Sequence, residues 1–173
     1  IRFKSAKYSC EHPFTIGGAL ALQAAALESG AGAVSEQHPV LAGYRAFGLP
    51  LGEGFQLRDD ELGVFGQPEV TGKPAGDDLR EGKRTVLVAL TSAALDEKDA
   101  ALLHDSLGNP ELSDEQVERI RELMVSSDAF AKHEQLIEQK SQAVFEALEA
   151  MNLDELVHAA LTDIVGRALR RKA

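Results

Sequence analysis

Two adjacent carboxylates, Asp59 and Asp60, follow the amide of Gln56 by three and four residues, at the predicted end of a helix. Neighbouring helical side chains point about 100° apart, so the two aspartates do not simply chelate one ion together. One of them can bind a hard cation while the other holds its water shell. This arrangement suits Mg²⁺, which keeps several waters when bound. A solvated acidic helix end remains the alternative for this pair.

A glycine-rich basic loop follows the acidic pair. Residues 71–85 carry two lysines, Lys73 and Lys83, together with two arginines and two aspartates, and they lead into another helix. Glycine permits close approach of the backbone to a ligand, and lysine acts as a point charge on phosphate oxygens. Carboxylates for Mg²⁺ beside lysines for phosphate are the components of a metal-diphosphate site. From composition alone, a mobile surface loop without such a role is the favoured interpretation.

The elements that would position these residues are predicted to be helices. Small and apolar residues predict a helix from Pro13 to Ser29, and Pro39 opens a second helix that runs to about Leu62. Pro50 lies inside the second helix and is expected to kink it. Residues 63–81 read as a loop, and helix resumes over about 82–95.

The C-terminal third has the clearest helical patterns. Ser113 and Gln116 form a capping-box pattern, and a further helix is predicted to begin after Ser127. Asn152 and Glu155 are the predicted cap of the last helix. Its apolar stripe comprises Leu153, Leu156, Val157, Ala160, Leu161, Ile164, Val165, Ala168 and Leu169. No period-2 strand pattern of useful length occurs, so the predicted fold class is all-α.

Composition excludes several classes of protein. Eighteen basic and 28 acidic residues give a net charge of −10, which argues against nucleic acid as a partner. No apolar run approaches the ~20 residues of a membrane span. The single cysteine, Cys10, suits a reducing compartment and predicts a cytoplasmic location. Because residue 1 is Ile rather than Met, we expect the sequence to begin inside a longer gene product.

Three motifs resemble those of the trans-type polyprenyl diphosphate synthases. Gln56 with Asp59-Asp60 is similar to the second aspartate-rich region of that family. The pattern Gly72-Lys73, Gly76-x-Asp78-Leu79-x-x-Gly82-Lys83-x-Thr85 is similar to the loop that follows it. Lys4-Ser5-Ala6 resembles the family's upstream Lys-Thr-Ala element, about 50 residues before Gln56. The resemblance covers essentially the whole chain, as the C-terminal part (residues 1–173) of a single synthase domain.

The resemblance implies an all-α bundle that holds an allylic diphosphate through up to three Mg²⁺ ions. Departure of the diphosphate would leave an allylic cation, which the double bond of isopentenyl diphosphate would attack. Loss of a proton would then give a prenyl diphosphate five carbons longer. By position, Asp59 would be a metal ligand, Asp60 a direct or water-mediated one, and Asp78 part of the metal's water shell. Phe55 would line the site near the reacting carbons. The residues that would contact the allylic diphosphate are Lys4, Ser5, Gln56, Lys73 and Lys83. The residues that would be central to catalysis are Lys4, Gln56, Asp59 and Lys73.

The chain departs from the family pattern in two places. Gly63 stands where the second motif has its third aspartate, and the first aspartate-rich motif is absent from these 173 residues. We therefore expect activity to need a missing N-terminal half, and the family implies a homodimer. A farnesyl or geranylgeranyl product is favoured. The alternatives are a terpene cyclase, or a partner subunit of the same fold without catalysis.

Overall fold

The structure is a computed structural model that describes residues 1–68, 72, 74 and 76–170. These residues form helices and connecting segments with no β-strand, which confirms the all-α prediction. A π-helical segment comes first, at Arg2–Glu11, and the α-helices follow it. They are α1 (His12–Glu28), α2 (Pro39–Phe65), α3 (Asp77–Arg80), α4 (Val86–Ala94), α5 (Glu97–Ser106), α6 (Asp114–Ser126), α7 (Ala129–Ala150) and α8 (Glu155–Leu169). No helix in the described part is both long and apolar enough to cross a membrane.

The chain divides into two compact units, each with its own core. The first unit contains residues 1–56 and 138–170, and the second contains residues 57–137. The core of the first unit is formed by Phe47, Leu51, Val144, Leu148, Leu161, Val165 and Leu169. The core of the second unit is formed by Val64, Leu79, Leu87, Val88, Leu103, Leu112, Val117, Ile120 and Met124.

Short-range signals located most helix ends correctly. The capping box at Ser113 and Gln116 is present in both directions, and α7 begins after Ser127 as predicted. Pro13 lies in the first turn of α1, and Gly30 after it has the left-handed backbone that ends helices (φ 72°). Helix α2 runs without interruption through Pro50.

The predicted boundaries are wrong at three places. Helix α2 continues to Phe65, so the predicted loop over 63–81 is shorter, and it also contains the one-turn helix α3. Helix α4 begins after Thr85 rather than at Gly82, because Gly82 has a φ of 70° whereas the Thr85 side chain caps the Val88 N–H. Helix α5 lies in a stretch for which no helix was predicted.

The cap and stripe predicted for the last helix also need correction. Asp154, not Asn152, accepts the hydrogen bond at the start of α8, and Asn152 instead has a left-handed φ of 51°. Only part of the stripe is buried: Leu161, Val165 and Leu169. Leu156 is 82% exposed. Helix α1 is rich in apolar residues but likewise has no buried residue, and its exposed large apolar side chains are Ile16, Leu20 and Leu27.

Candidate functional site

Two of the predicted site residues meet in the first unit. The Ser5 hydroxyl donates a hydrogen bond of 2.6 Å to the side-chain oxygen of Gln56, across 51 residues of sequence. The π-helical segment and α2 are therefore joined at the two motifs that the sequence marked as functional. With its carbonyl oxygen engaged, the Gln56 side chain is held in a defined orientation.

Small residues on one face of α2 make this contact possible. Gly48, Gly52 and Gln56 recur every four residues and so lie on the same side of the helix. A Cβ on Gly48 would lie 2.8 Å from the Cα of Glu11, and one on Gly52 would lie 2.5 Å from the Cα of Ala6. The backbone of the π-helical segment therefore packs directly on α2. The sequence contains this signal as two glycines four residues apart, and the prediction did not include it.

The acidic pair lies further along α2, in the second unit. Asp59 is exposed to solvent, whereas Asp60 is only 6% exposed. Gly63 follows them at the distance of one helical turn and so lies on the same side of α2. A Cβ on Gly63 would overlap the carboxylate of Asp78 and lie 2.8 Å from its Oδ1 atom. The Asp78 carboxylate therefore occupies the place beside α2 that a side chain at position 63 would take.

Asp78 is paired with Lys83. The Lys83 Nζ atom lies 2.5 Å from Oδ1 of Asp78 and 3.0 Å from Oε2 of Glu81. Burial alone would lower the pKa of Lys83, but the hydrogen bonds to these two carboxylates outweigh it and raise that pKa above its ordinary value. The lysine is therefore a fully charged ammonium at neutral pH, and its side chain remains partly accessible.

The turn that carries Asp78 and Lys83 is fixed by its backbone. Leu79 is fully buried in the core of the second unit, and its carbonyl accepts a 2.9 Å hydrogen bond from the N–H of Gly108. Gly82 adopts a φ of 70°, and its Cα faces the backbone of Gly108 closely enough that a Cβ would lie 3.0 Å away. The Lys83 N–H donates to the carbonyl of Asp78 at 3.0 Å.

A buried charge cluster beside the acidic pair was not predicted. The Arg58 Nη1 atom lies 2.7 Å from Glu61 and 2.6 Å from Glu134 of α7, 76 residues away. Burial raises the pKa of Glu61 to about 8, and the neighbouring Glu134 carboxylate adds to this effect while Arg58 opposes it. The hydrogen bond from Glu61 in turn lowers the pKa of Glu134. At neutral pH the two glutamates therefore share one proton beside one arginine.

His133 reinforces the same contact from α7. Its ring is fully buried, and Nε2 lies 2.9 Å from the carbonyl of Leu57. A carbonyl only accepts, so Nε2 carries the proton. Burial lowers the pKa of His133, which keeps the ring neutral. Its Nδ1 atom has no hydrogen-bond partner among the described residues. Leu57 and Arg58, the two residues before the acidic pair, are thus both held by α7.

The remaining predicted site residues contribute less to the described geometry. Lys4 is exposed, and Phe55 is half-buried against the core of the first unit. Lys73 lies outside the described residues.

The second unit has a donor set that fits Mg²⁺. Asp59, Asp60 and Asp78 offer hard carboxylate oxygens, the ligand type that this ion prefers. The carboxylate of Asp78 lies against Gly63, on the side of α2 that carries the acidic pair. A second grouping of Asp77, Asp78 and Glu81 brings three carboxylates within 4.8 Å of one another, with Lys83 bound to two of them. Both groupings are compatible with a cation. The Asp59-Asp60 pair on α2 is nearer to Gln56 in sequence than the second grouping is.

The described residues are helical and include paired carboxylates, a turn that carries a lysine, and a serine–glutamine contact. These features define a class of helical proteins whose acidic and basic groups suit a metal and a diphosphate. The family model described as Polyprenyl synthetase matches residues 17–124, more than half of the chain. The chain belongs to this family.

Known proteins that resemble the chain are isoprenyl diphosphate synthases. It is 42% identical over 78 residues to a geranylgeranyl diphosphate synthase of Saccharolobus solfataricus, covering 45% of this chain and 24% of that protein. It is 39% identical over 111 residues to a (2E,6E)-farnesyl diphosphate synthase of Mycobacterium tuberculosis, covering 62% and 31%.

A solved structure extends the likeness to almost the whole chain. It is a geranylgeranyl pyrophosphate synthase from Corynebacterium glutamicum complexed with isoprenyl diphosphate and magnesium. The TM-score is 0.80 at 33% identity, covering 99% of this chain and 45% of that one. The chain thus spans a quarter to a third of the curated relatives named above and just under half of the solved chain.

Proposed function

We propose that the chain is the C-terminal part of a Mg²⁺-dependent prenyltransferase. This enzyme would condense an allylic prenyl diphosphate with isopentenyl diphosphate in isoprenoid biosynthesis. The observation that carries the proposal is the 2.6 Å hydrogen bond between Ser5 and Gln56, because it joins two motifs that lie 51 residues apart. Family membership supports the same reaction class.

Each predicted site residue has a role in this proposal. Asp59 would hold Mg²⁺ directly and Asp60 directly or through water, with Asp78 in the outer shell, and up to three ions would be shared with residues outside the chain. The bound ions supply Lewis-acid stabilisation of the departing diphosphate. The side chains that bind the allylic diphosphate are Lys4, Ser5, Gln56, Lys73 and Lys83, and Phe55 lies near the reacting carbons.

The proposed reaction requires stabilisation of the departing diphosphate and exclusion of water from the cation. The bond between C1 and oxygen of the allylic diphosphate breaks, and the charge that builds up on the diphosphate is stabilised by lysine ammonium groups. The double bond of isopentenyl diphosphate then forms the new carbon–carbon bond to C1, and loss of a proton restores a double bond. Apolar surroundings keep water from the cation during this interval.

The proposal includes partners that the chain does not contain. Exposed apolar side chains of α1 (Ile16, Leu20 and Leu27) offer a surface for further protein, which supports an N-terminal half that carries the first aspartate-rich motif. A homodimer and a farnesyl or geranylgeranyl product are proposed from the likeness to the relatives. A cytoplasmic location is proposed from the single cysteine.

A product assay tests the proposal. The chain would be assayed alone and fused to the remaining part of the C. glutamicum synthase, with Mg²⁺, isopentenyl diphosphate and, in turn, dimethylallyl, geranyl or farnesyl diphosphate. We expect a longer prenyl diphosphate from the fusion only, and none with a chelator. Asp59→Asn should lower the rate by roughly two orders of magnitude, the scale of a lost charge-stabilising group. Asp105→Asn, on an exposed position of α5, is the matched control.

Each other result would contradict part of the proposal. A hydrocarbon released without isopentenyl diphosphate would indicate a terpene cyclase. A folded fusion with no product would indicate a non-catalytic subunit. Turnover by the isolated 173 residues would show that the missing half is not required.

A further inference from the structure

The carboxylate of Asp78 lies where a helix side chain would normally be. Position 63 is one turn beyond Asp59 and Asp60 on the same side of α2, and Gly63 leaves it empty. A Cβ there would overlap the Asp78 carboxylate. Asp78 is only 5% exposed, so the absence of a side chain at position 63 is what gives this carboxylate its place.

The same carboxylate fixes an ammonium group. Lys83 Nζ is bound by Asp78 at 2.5 Å and by Glu81 at 3.0 Å. An ammonium has three N–H donors. Among the described residues these two carboxylates account for two of them, and the third is available to an anion. Because the side chain of Lys83 is 42% exposed, an anion can reach it from solvent.

The support under Asp78 is stiff, whereas a free lysine side chain is not. Leu79 is buried next to Asp78, and the left-handed Gly82 packs on Gly108 just before Lys83. A lysine held in this way loses little side-chain entropy when it binds an anion, and the loss of that entropy otherwise weakens such a contact. The geometry thus prepares Lys83 for a ligand.

We propose that Asp78 is a positioning residue that holds the Lys83 ammonium one helical turn beyond the Asp59-Asp60 pair, so that Lys83 presents a fixed donor to a diphosphate. This inference rests on the function proposed above, because it takes diphosphate as the ligand. It gives Gly63 a role as well, since any side chain at that position displaces Asp78.

Removal of the Asp78 charge distinguishes positioning from simple electrostatics. If Asp78 were only a negative charge near the site, its removal would strengthen the binding of an anion. If it positions Lys83, its removal weakens that binding. If it acts only through the water shell of a metal, its removal weakens binding only when Mg²⁺ is present.

The experiment is a titration of the 173-residue chain with inorganic diphosphate, followed by NMR, once with EDTA and once with Mg²⁺. We expect Asp78→Asn to weaken binding in both buffers by roughly three- to tenfold, the effect of one charge-assisted hydrogen bond that loses its geometry. Asp105→Asn removes the same charge from an exposed position on α5 of the same unit and should not weaken binding. Equal effects of the two variants, or an effect confined to Mg²⁺, would overturn the inference.

A second variant displaces Asp78 without removing its charge. Gly63→Ala places a Cβ against the carboxylate and should weaken diphosphate binding as Asp78→Asn does. Gly43→Ala is the matched control, because Gly43 lies on the same helix as Gly63. Its Cβ would also meet a side chain, at 2.8 Å from Cγ of Met151. Diphosphate binding by Gly63→Ala as tight as by Gly43→Ala would contradict the role of Gly63.

The order of the ammonium group separates this inference from the proposed function. In ¹⁵N relaxation of the lysine side chains, Lys83 should be more ordered than the exposed Lys98, and Asp78→Asn should remove the difference. A Lys83 as mobile as Lys98 overturns the positioning alone. An ordered Lys83 in a chain that binds no diphosphate in either buffer overturns the diphosphate role of Lys83, whereas the proposed function is tested separately by the product assay of the fusion.

Discussion

The proton shared by Glu61 and Glu134 predicts that the folded chain becomes less stable as the pH rises. Burial raises the pKa of Glu61 to about 8 in the folded chain, from the value of 4.5 that an unfolded glutamate has. Between these values the folded chain holds a proton that the unfolded chain has released. Stability therefore falls by about 1.4 kcal/mol for each pH unit, or about 3 to 4 kcal/mol between pH 5 and pH 8.

Glu61→Gln isolates this effect. A glutamine can donate to Glu134 and accept from Arg58 as the protonated glutamate does, so the variant should match the wild type near pH 5. At pH 8 it should be more stable by about 3 to 4 kcal/mol. His133 contributes with the opposite sign, because burial lowers its pKa and stability is lost as the pH falls below 6.5. Both proteins carry His133, so its contribution cancels in the difference.

Urea unfolding followed by far-ultraviolet circular dichroism, at pH 5 to 8 in EDTA, measures the difference. Glu138→Gln removes one charge from an exposed position on α7 and controls for the general effect of net charge. A difference between Glu61→Gln and wild type that stays constant from pH 5 to pH 8 would refute the assignment of the proton to Glu61. An equal rise for Glu138→Gln would attribute the effect to net charge instead.

Two further substitutions test the local geometry. Ser5→Ala removes the hydrogen bond to Gln56 and should lower the free energy of unfolding by about 1 kcal/mol, while Ser9→Ala at an exposed position should change it little; equal losses would contradict the contact. Asn152 has a φ of 51°, so Asn152→Ala should destabilise by about 1 kcal/mol and Asn152→Gly should not, as thermal unfolding would measure.

Sequence reasoning succeeded where a few neighbouring residues decide the structure. The capping box needs only Ser113 and Gln116, and both partners are visible within four residues. It failed where two local signals compete. Asn152 and Asp154 are both good cap residues, and the structure uses one for a left-handed turn and the other for the cap. Before α4, Gly82 has the left-handed backbone and Thr85 provides the cap.

The candidate site shows the same limit over longer distances. Residue type and spacing predicted Asp59, Asp60 and Gln56 as candidate site residues, because their motif lies on one helix. The residues that hold this helix in place were not identifiable. Arg58 and Glu61 resemble an ordinary pair at helical spacing, and nothing near them in sequence points to Glu134, which is 76 residues from Arg58.

Gly63 shows that a contact with a residue distant in sequence changes how a single position is interpreted. In sequence it is a missing carboxylate, since the family motif has an aspartate there. In the structure, the absence of a side chain at position 63 leaves space that the Asp78 carboxylate fills, and Asp78 forms an ion pair with Lys83. The substitution therefore does not simply remove a charge from α2. It allows a carboxylate and an ammonium from the following turn to approach the helix together, and the net charge at that point differs from that of an aspartate.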